Sequence, residues 1–333
     1  MLRWWLNDTT VSSFSGMQGS GTELSESTLG VAVNSDVCIC FLNAWSGEGG
    51  DRSELYDADQ DEMVNTVANN CNNTIVVINT TGMPLSAHKK VTDANLNMIG
   101  PRLLDQWITH ENVTGVLYGG PLGQESGNAI DDVLFGAVNP SGRLINTIAK
   151  NESDYDSNTQ ITESLDLDFS EGNYIDYKYF NKYNITPRYE FGYGLSYTTF
   201  NYSTQVTVSP NTTALSDSYA TGALAIGGRE DLWDIVATVS SSISNTGGIA
   251  GAEVAQLYVK FPDVAGEPVR QLRGFEKVTV QPGENQDITF ELKRRDLSVW
   301  DVAAQSWKIE SGDYVFYVGA SSRDLKAEAT LMV

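Results

Sequence analysis

Between residues 31 and 158 short apolar runs alternate with stretches whose apolar positions recur at helical spacing. "VCICFLNA" (37–44), "NTIVVINTT" (73–81) and "VTGVLYGGP" (113–121) are nearly unbroken apolar runs of strand length. "DQDEMVNTVANNC" (59–71) places Met63, Val64 and Val67 on one helical face, and "GQESGNAIDDVLFG" (123–136) does the same with Ile130, Val133 and Leu134. "PRLLDQWITH" (101–110) reads as a helix opened by Pro101, and "GRLINTIAK" (142–150) closes the series. Unbroken strands alternating with amphipathic helices predict an α/β sandwich built on a mostly parallel sheet. From residue 201 the period shortens to two in "DIVATVSSSISNTG", "AEVAQLYVKF", "QLRGFEKVTVQPGENQDITFEL" and "SGDYVFYVGASS", with "NTGG" and "QPGE" as turns. That pattern predicts an all-β, immunoglobulin-like sandwich over 201–333. Residues 1–30 are polar and rich in Gly and Ser, an orphaned end or loop. Residues 159–200 form an aromatic-rich linker expected to pack between domains, with a platform for sugar rings as its alternative.

The length of 333 residues suits two domains. A formal charge of −22 disfavours nucleic acid and anionic membrane as partners, while a neutral sugar would not be repelled. No run approaches the roughly 20 apolar residues of a membrane span. "MLRWWLNDTT" has too short an apolar core for a signal peptide. N-x-[ST] sequons nevertheless stand at Asn7, Asn72, Asn79, Asn112, Asn151, Asn184, Asn201 and Asn211, as expected of a secreted glycoprotein. The three cysteines fit no metal-site spacing. Cys38 or Cys40 could bridge to Cys71 if their strands are neighbours, and buried free thiols are the alternative.

The chemistry concentrates in "NAWSGEGGDRSEL" (43–55), where Glu48 stands between Gly47 and Gly49 just past the first strand. A surface turn would explain it, and so would a catalytic acid on the ligand-facing edge of a parallel sheet. Flanking glycines permit backbone angles and close approach that a Cβ resists. Glu125 in "GQESG" is the rival carboxylate, although its place at a helix start also suits the helix dipole. Asp51 and Arg52 are expected to pair and brace the loop.

The motifs "NAWSGEGGDR", "GGPLGQESGNA", "NPSGRLINTIAKNESDY", "YIDYKYF", "PRYEFGYGLSYTTF", "GAEVAQLYVKFP" and "QLRGFEKVTVQPGE", in this order, resemble the C-terminal half of fungal β-glucosidases of glycoside hydrolase family 3. The resemblance runs from about residue 17 to nearly the end. It implies an α/β-sandwich domain followed by a fibronectin type III-like domain, a β-glucoside substrate, secretion and no cofactor. It makes Glu48 the acid/base of a retaining hydrolase and brings Ser20 of "MQGSG" near the bound sugar. It places the aspartate nucleophile in a preceding (β/α)₈ barrel, in an S-D-W-type motif that these residues do not contain. A chain with one carboxylate of the two is expected to be inactive alone. A non-catalytic carbohydrate-binding protein and a β-xylosidase-type relative are the alternatives. Residues 83–100, "MPLSAHKKVTDANLNMIG", interrupt the family pattern and carry His88, which has no expected metal role. Gly82-Met83, Ala94-Asn95 and Ile99-Gly100 can encode splice-like signals, so the eighteen codons read as a translated intron. The segment is expected to be a surface excursion, and the sandwich from 201 onward is expected to fold alone.

Overall fold

The computed structural model describes residues 26–44, 55–80, 101–120, 122–157, 166 and 168–333; for 26–28 and Ala44 it describes only the backbone. The chain divides into two compact units, one of residues 1–131 and 148–170, the other of 132–147 and 171–333. The insertion at 83–100 lies outside the described residues.

In the first unit, β1 (Cys38–Ala44), β2 (Thr74–Thr80) and β3 (Val113–Gly119) form a parallel sheet in that order, with Cys38 opposite Thr74 and Ala44 opposite Thr80. β2 is central, and its Val76, Val77 and Ile78 are buried on both faces, as unbroken apolar strands require. Helix α1 (Glu26–Val33) begins inside the stretch expected to be a loop or orphaned end, whereas α2 (Ala58–Asn70) and α3 (Ser126–Leu134) stand at the predicted places. Met63, Val64 and Val67 of α2 and Ile130 of α3 are buried. Parallel pairing of β1 and β2 brings Cys38 to Cys71, with Cα atoms 6.3 Å apart, and the two form a disulfide. Cys40, two residues along on the same face of β1, stays a thiol, and burial pushes it up to about 12. Such a thiol carries almost no thiolate near neutral pH and is chemically inert.

Two expected elements are absent. Residues 101–110 are a single turn rather than a helix, and their polar groups go to tertiary partners. The Leu103 N–H donates to the Leu55 carbonyl at 2.8 Å, the Arg102 N–H to the Tyr118 hydroxyl at 2.8 Å, and the Gln106 carbonyl accepts from Asn65 at 3.3 Å. The turn buries Arg102 and Trp107 around Asp61 of α2. Asp61 Oδ1 accepts from Arg102 Nη2 and from Trp107 Nε1, both at 2.7 Å. Arg102 reaches further, to the carbonyls of Leu103 at 3.1 Å and Asp57 at 3.4 Å. Residues 142–150 form no extended strand either, although Thr147, Ile148 and Ala149 are buried.

The second unit is an antiparallel sandwich. One sheet runs β10 (Gln271–Val280), β9 (Gly251–Lys260), β14 (Asp313–Gly319), β15 (Leu325–Met332). The other runs β11 (Asn285–Lys293), β8 (Ile235–Asn245), β4 (Phe200–Tyr202), with β5 (Thr207–Pro210) also pairing with β8. Two small hairpins, β6–β7 (Leu224–Ala225, Gly228–Arg229) and β12–β13 (Val299–Asp301, Ser306–Lys308), complete it. The period-two positions fill the core: Val239 and Ile243 of β8, Ile288 and Phe290 of β11, Tyr314 and Phe316 of β14.

The aromatic stretch belongs to this unit. Helix α4 (Tyr177–Lys182) sets Tyr177 4.8 Å from the Phe191 ring and 5.9 Å from that of Tyr258 on β9, and its hydroxyl accepts from the Leu272 N–H at 2.9 Å. Gly192, at φ +84°, shows why "FGYG" needs its glycine: a Cβ there would lie 2.1 Å from Gln256 Oε1. The 132–147 segment is tied in by Arg143, whose guanidinium meets the buried Glu253 carboxylate, which also accepts from the Tyr202 hydroxyl at 2.7 Å.

Asp61→Ala leaves a buried guanidinium uncompensated and is expected to cost about 3–5 kcal/mol. The apolar pair Asp61→Leu with Arg102→Met should recover most of that loss in urea unfolding followed at the first unit. A fragment of residues 201–333 lacks Arg143 and strands Glu253, so it should melt below a fragment of 132–333 in calorimetry. Glu253→Gln should narrow that gap.

Candidate functional site

Ligands of a parallel sheet meet the loops beyond the carboxyl ends of its strands. The 45–54 loop, which carries Glu48, leaves from that end of β1. Glu48, Asp51, Arg52, Ser20 and His88 all lie outside the described residues, but both anchors of the loop are described. On the entering side, Gln60 grips the Asn43 backbone twice: Oε1 accepts from the Asn43 N–H at 3.2 Å and Nε2 donates to its carbonyl at 2.9 Å. Gln60 is held in turn by Asp57, the N-cap of α2, which accepts from the Gln60 N–H and from Nε2, each at 3.0 Å. On the leaving side, Leu55 is fully buried. Its N–H donates to the Glu152 carboxylate, and its carbonyl holds the turn that carries Arg102. Residues 45–54 are therefore flanked by fixed backbone on both sides.

These anchors were not singled out from the sequence, although "DADQ" (57–60) has the spacing of a capping box, of which only the aspartate half forms because the Gln60 side chain goes to Asn43 and the Asp57 carboxylate. That signal marks a helix start. That Gln60 would also reach Asn43, seventeen residues away, follows only from the packing of α2 beside β1.

At the carboxyl end of β2, Asn79 Oδ1 and Thr80 Oγ1 are buried with no hydrogen-bond partner among the described residues. Glu125 is exposed, just ahead of α3, and accepts from Asn128 Nδ2 at 2.6 Å, an arrangement that suits a helix start.

The sequons are not equivalent. Asn72, Asn151, Asn184, Asn201 and Asn211 are exposed, while Asn79 and Asn112 are half-buried. Asn112 Nδ2 is committed to the Ala68 carbonyl at 2.9 Å, and Asn211 Oδ1 accepts from the Ala214 N–H at 3.2 Å. Asn7 lies outside the described residues.

Residues 4–197 match the profile of the glycosyl hydrolase family 3 C-terminal domain, and residues 253–322 that of the fibronectin type III-like domain. The chain is similar throughout its length to "Probable beta-glucosidase D" of Aspergillus niger, at 56% identity, and of Emericella nidulans, at 54%. It covers 42% and 39% of those proteins, less than half their length. Among solved structures, beta-D-glucoside glucohydrolase from Trichoderma reesei superposes with a TM-score of 0.82 at 42% identity, over 97% of this chain and 44% of that one. Beta-glucosidase D2-BGL from Chaetomella Raphigera gives 0.81 at 42% identity, over 92% of this chain and 41% of that one.

Gln60→Ala should release the Asn43 backbone. Loss of about 1 kcal/mol of hydrogen bonding corresponds to roughly fivefold faster exchange of the Asn43 amide, read by hydrogen–deuterium exchange.

Proposed function

The chain belongs to glycoside hydrolase family 3, and from that premise we propose that it supplies the acid/base half of a secreted, retaining β-glucosidase. The similarity of its full length to beta-glucosidases, with Glu48 on the loop anchored past β1, carries this reading. A retaining hydrolase needs two carboxyl groups about 5–5.5 Å apart. Glu48 would give its proton to the departing glycosidic oxygen while an aspartate attacks the anomeric carbon. It would then take a proton from the water that attacks the glycosyl–aspartate ester, returning both carboxyl groups to their starting states.

A (β/α)₈ barrel bearing that aspartate is the domain this chemistry requires. The relatives are more than twice as long as the part matched here, which leaves room for it. Ser20 is assigned to the sugar. The substrate is a terminal β-D-glucosyl residue of cellobiose or a short oligosaccharide. Secretion is supported by the Cys38–Cys71 disulfide, which persists in oxidising compartments, and by the exposed sequons.

A polypeptide of these 333 residues should not turn over an aryl β-glucoside above background. Joined behind a family barrel it should do so, and there Glu48→Ala should slow the reaction by about 10²- to 10⁴-fold for a poor leaving group. A good leaving group needs little protonation and should lose far less. Equal losses for both would reject Glu48 as the acid, and a preference for aryl β-xylosides would reject the sugar assignment.

A further inference from the structure

The first unit carries an open groove of ≈ 810 Å³. That is the size of a small-molecule site, which typically spans about 300–1,000 Å³. One wall is the solvent side of α2 with Tyr56 ahead of it, and the other is formed by Gln106 and residues 150–153. Its lining sets side-chain amides beside the carboxylates of Asp61, Glu62, Asp105 and Glu152 and the ammonium of Lys150, a density of hydrogen-bonding groups that suits a sugar better than a lipid. Asn65 donates to the Gln106 carbonyl at 3.3 Å through its Nδ2, which leaves its Oδ1 facing solvent. Asn69 uses Oδ1 toward His110 at 3.1 Å, which leaves its Nδ2. Tyr56 is half-buried, with ring surface to offer.

The groove also contains the acceptor of a sequon, Asn151-Glu152-Ser153. The backbone around Asn151 is tightly held. Its N–H donates to Asp154 Oδ2 at 3.0 Å, its carbonyl accepts from the Asp154 N–H at 3.1 Å, and Glu152 is bonded to the Leu55 N–H. The side chain is exposed, unlike that of Asn112 with its nitrogen engaged.

We propose that the groove is the seat of an N-linked glycan carried by Asn151, with the two N-acetylglucosamines of its core lying against Tyr56, Asn65, Asn69 and Gln106. This rests on the secreted reading above. The glycan is added to the extended chain before this turn forms. Asn151 Nδ2 attacks the anomeric carbon of an oligosaccharide carried on a lipid pyrophosphate, the C1–N bond replaces the C1–O bond, Nδ2 loses one proton, and the lipid pyrophosphate leaves. Folding then brings α2 and residues 103–106 up against the attached sugars. The fixed backbone aims the glycan into the groove, so little ordering entropy remains to be lost on docking. The apolar face of the first sugar covers the Tyr56 ring, and the acetamido and hydroxyl groups meet the amides across it.

The test is the full chain secreted from a eukaryotic host behind a leader, with its glycopeptides mapped by mass spectrometry. Endoglycosidase H, which cuts between the two core sugars, is applied to native and to unfolded protein. Asn151 is expected to be occupied. In the native protein its glycan should be cut about tenfold more slowly than those at Asn72 and Asn211, the protection that one or two net hydrogen bonds supply. Unfolding should abolish the difference. Asn69→Ala with Gln106→Ala, remote in sequence from the sequon, should bring native cleavage at Asn151 up to the common rate with occupancy unchanged. Asn151→Gln and Ser153→Ala should lower the melting temperature equally. An empty Asn151 beside occupied Asn72 and Asn211 would overturn this inference and leave secretion standing. So would native cleavage at the common rate, or protection that survives the double substitution. No glycan at any sequon would overturn both.

Discussion

In the first unit a single buried carboxylate fixes where residues 101–107 lie. Asp61 receives Arg102 and Trp107 at one oxygen, and all three side chains are almost wholly removed from water. A charge so placed is tolerable only with its partner, and here the pair meets at 2.7 Å although Arg102 Nε has no hydrogen-bond partner among the described residues. Residues 101–107 therefore come to α2, where they form a turn. Once they are there, Leu103 meets Leu55, and Leu55 ends the loop that carries Glu48. The same approach sets Gln106 opposite Asn65 and so forms the groove. The loop's exit and the groove's second wall are both consequences of where Arg102 finds its carboxylate.

The second unit repeats the device. Glu253, on a strand of the sandwich, is buried and is satisfied by Arg143 from the 132–147 segment and by the Tyr202 hydroxyl. Burial, reinforced by the carboxylate, raises the Tyr202 phenol, so it stays a donor throughout the useful pH range. A segment that is early in sequence is thus locked to a sheet more than a hundred residues later. The boundary between compact units follows these ion pairs more closely than it follows the change from helix–strand alternation to period-two strands.

Under the function proposed above, the described anchors matter because they fix the backbone on both sides of residues 45–54: the two-point grip of Gln60 on Asn43 on one side and the burial of Leu55 on the other. The seating of a glycan beside the same scaffold would add rigidity on the outer face of α2 without entering the chemistry.

The sequence by itself determined what depends on local periodicity and on contiguous motifs. The strands at 38–44, 74–80 and 113–119, the helix at 58–70 with Met63, Val64 and Val67 inward, and the alternating strands of the sandwich all follow from side-chain spacing. "SGEG" and its companion motifs carried the family. Tertiary structure decided what depends on partners distant in the chain. Residues 101–110 have a helical pattern, yet only one turn forms, and its polar groups meet Leu55, Tyr118 and Asp61. Cys38 and Cys40 are equivalent as letters, and only the parallel register of β1 on β2 gives Cys71 to the first. The sequons read alike, but only packing commits the Asn112 amide to Ala68 and leaves Asn151 open in a groove. Periodicity records which face of an element is buried; it does not record which buried polar group will be met there, and that meeting fixes the anchors and the groove.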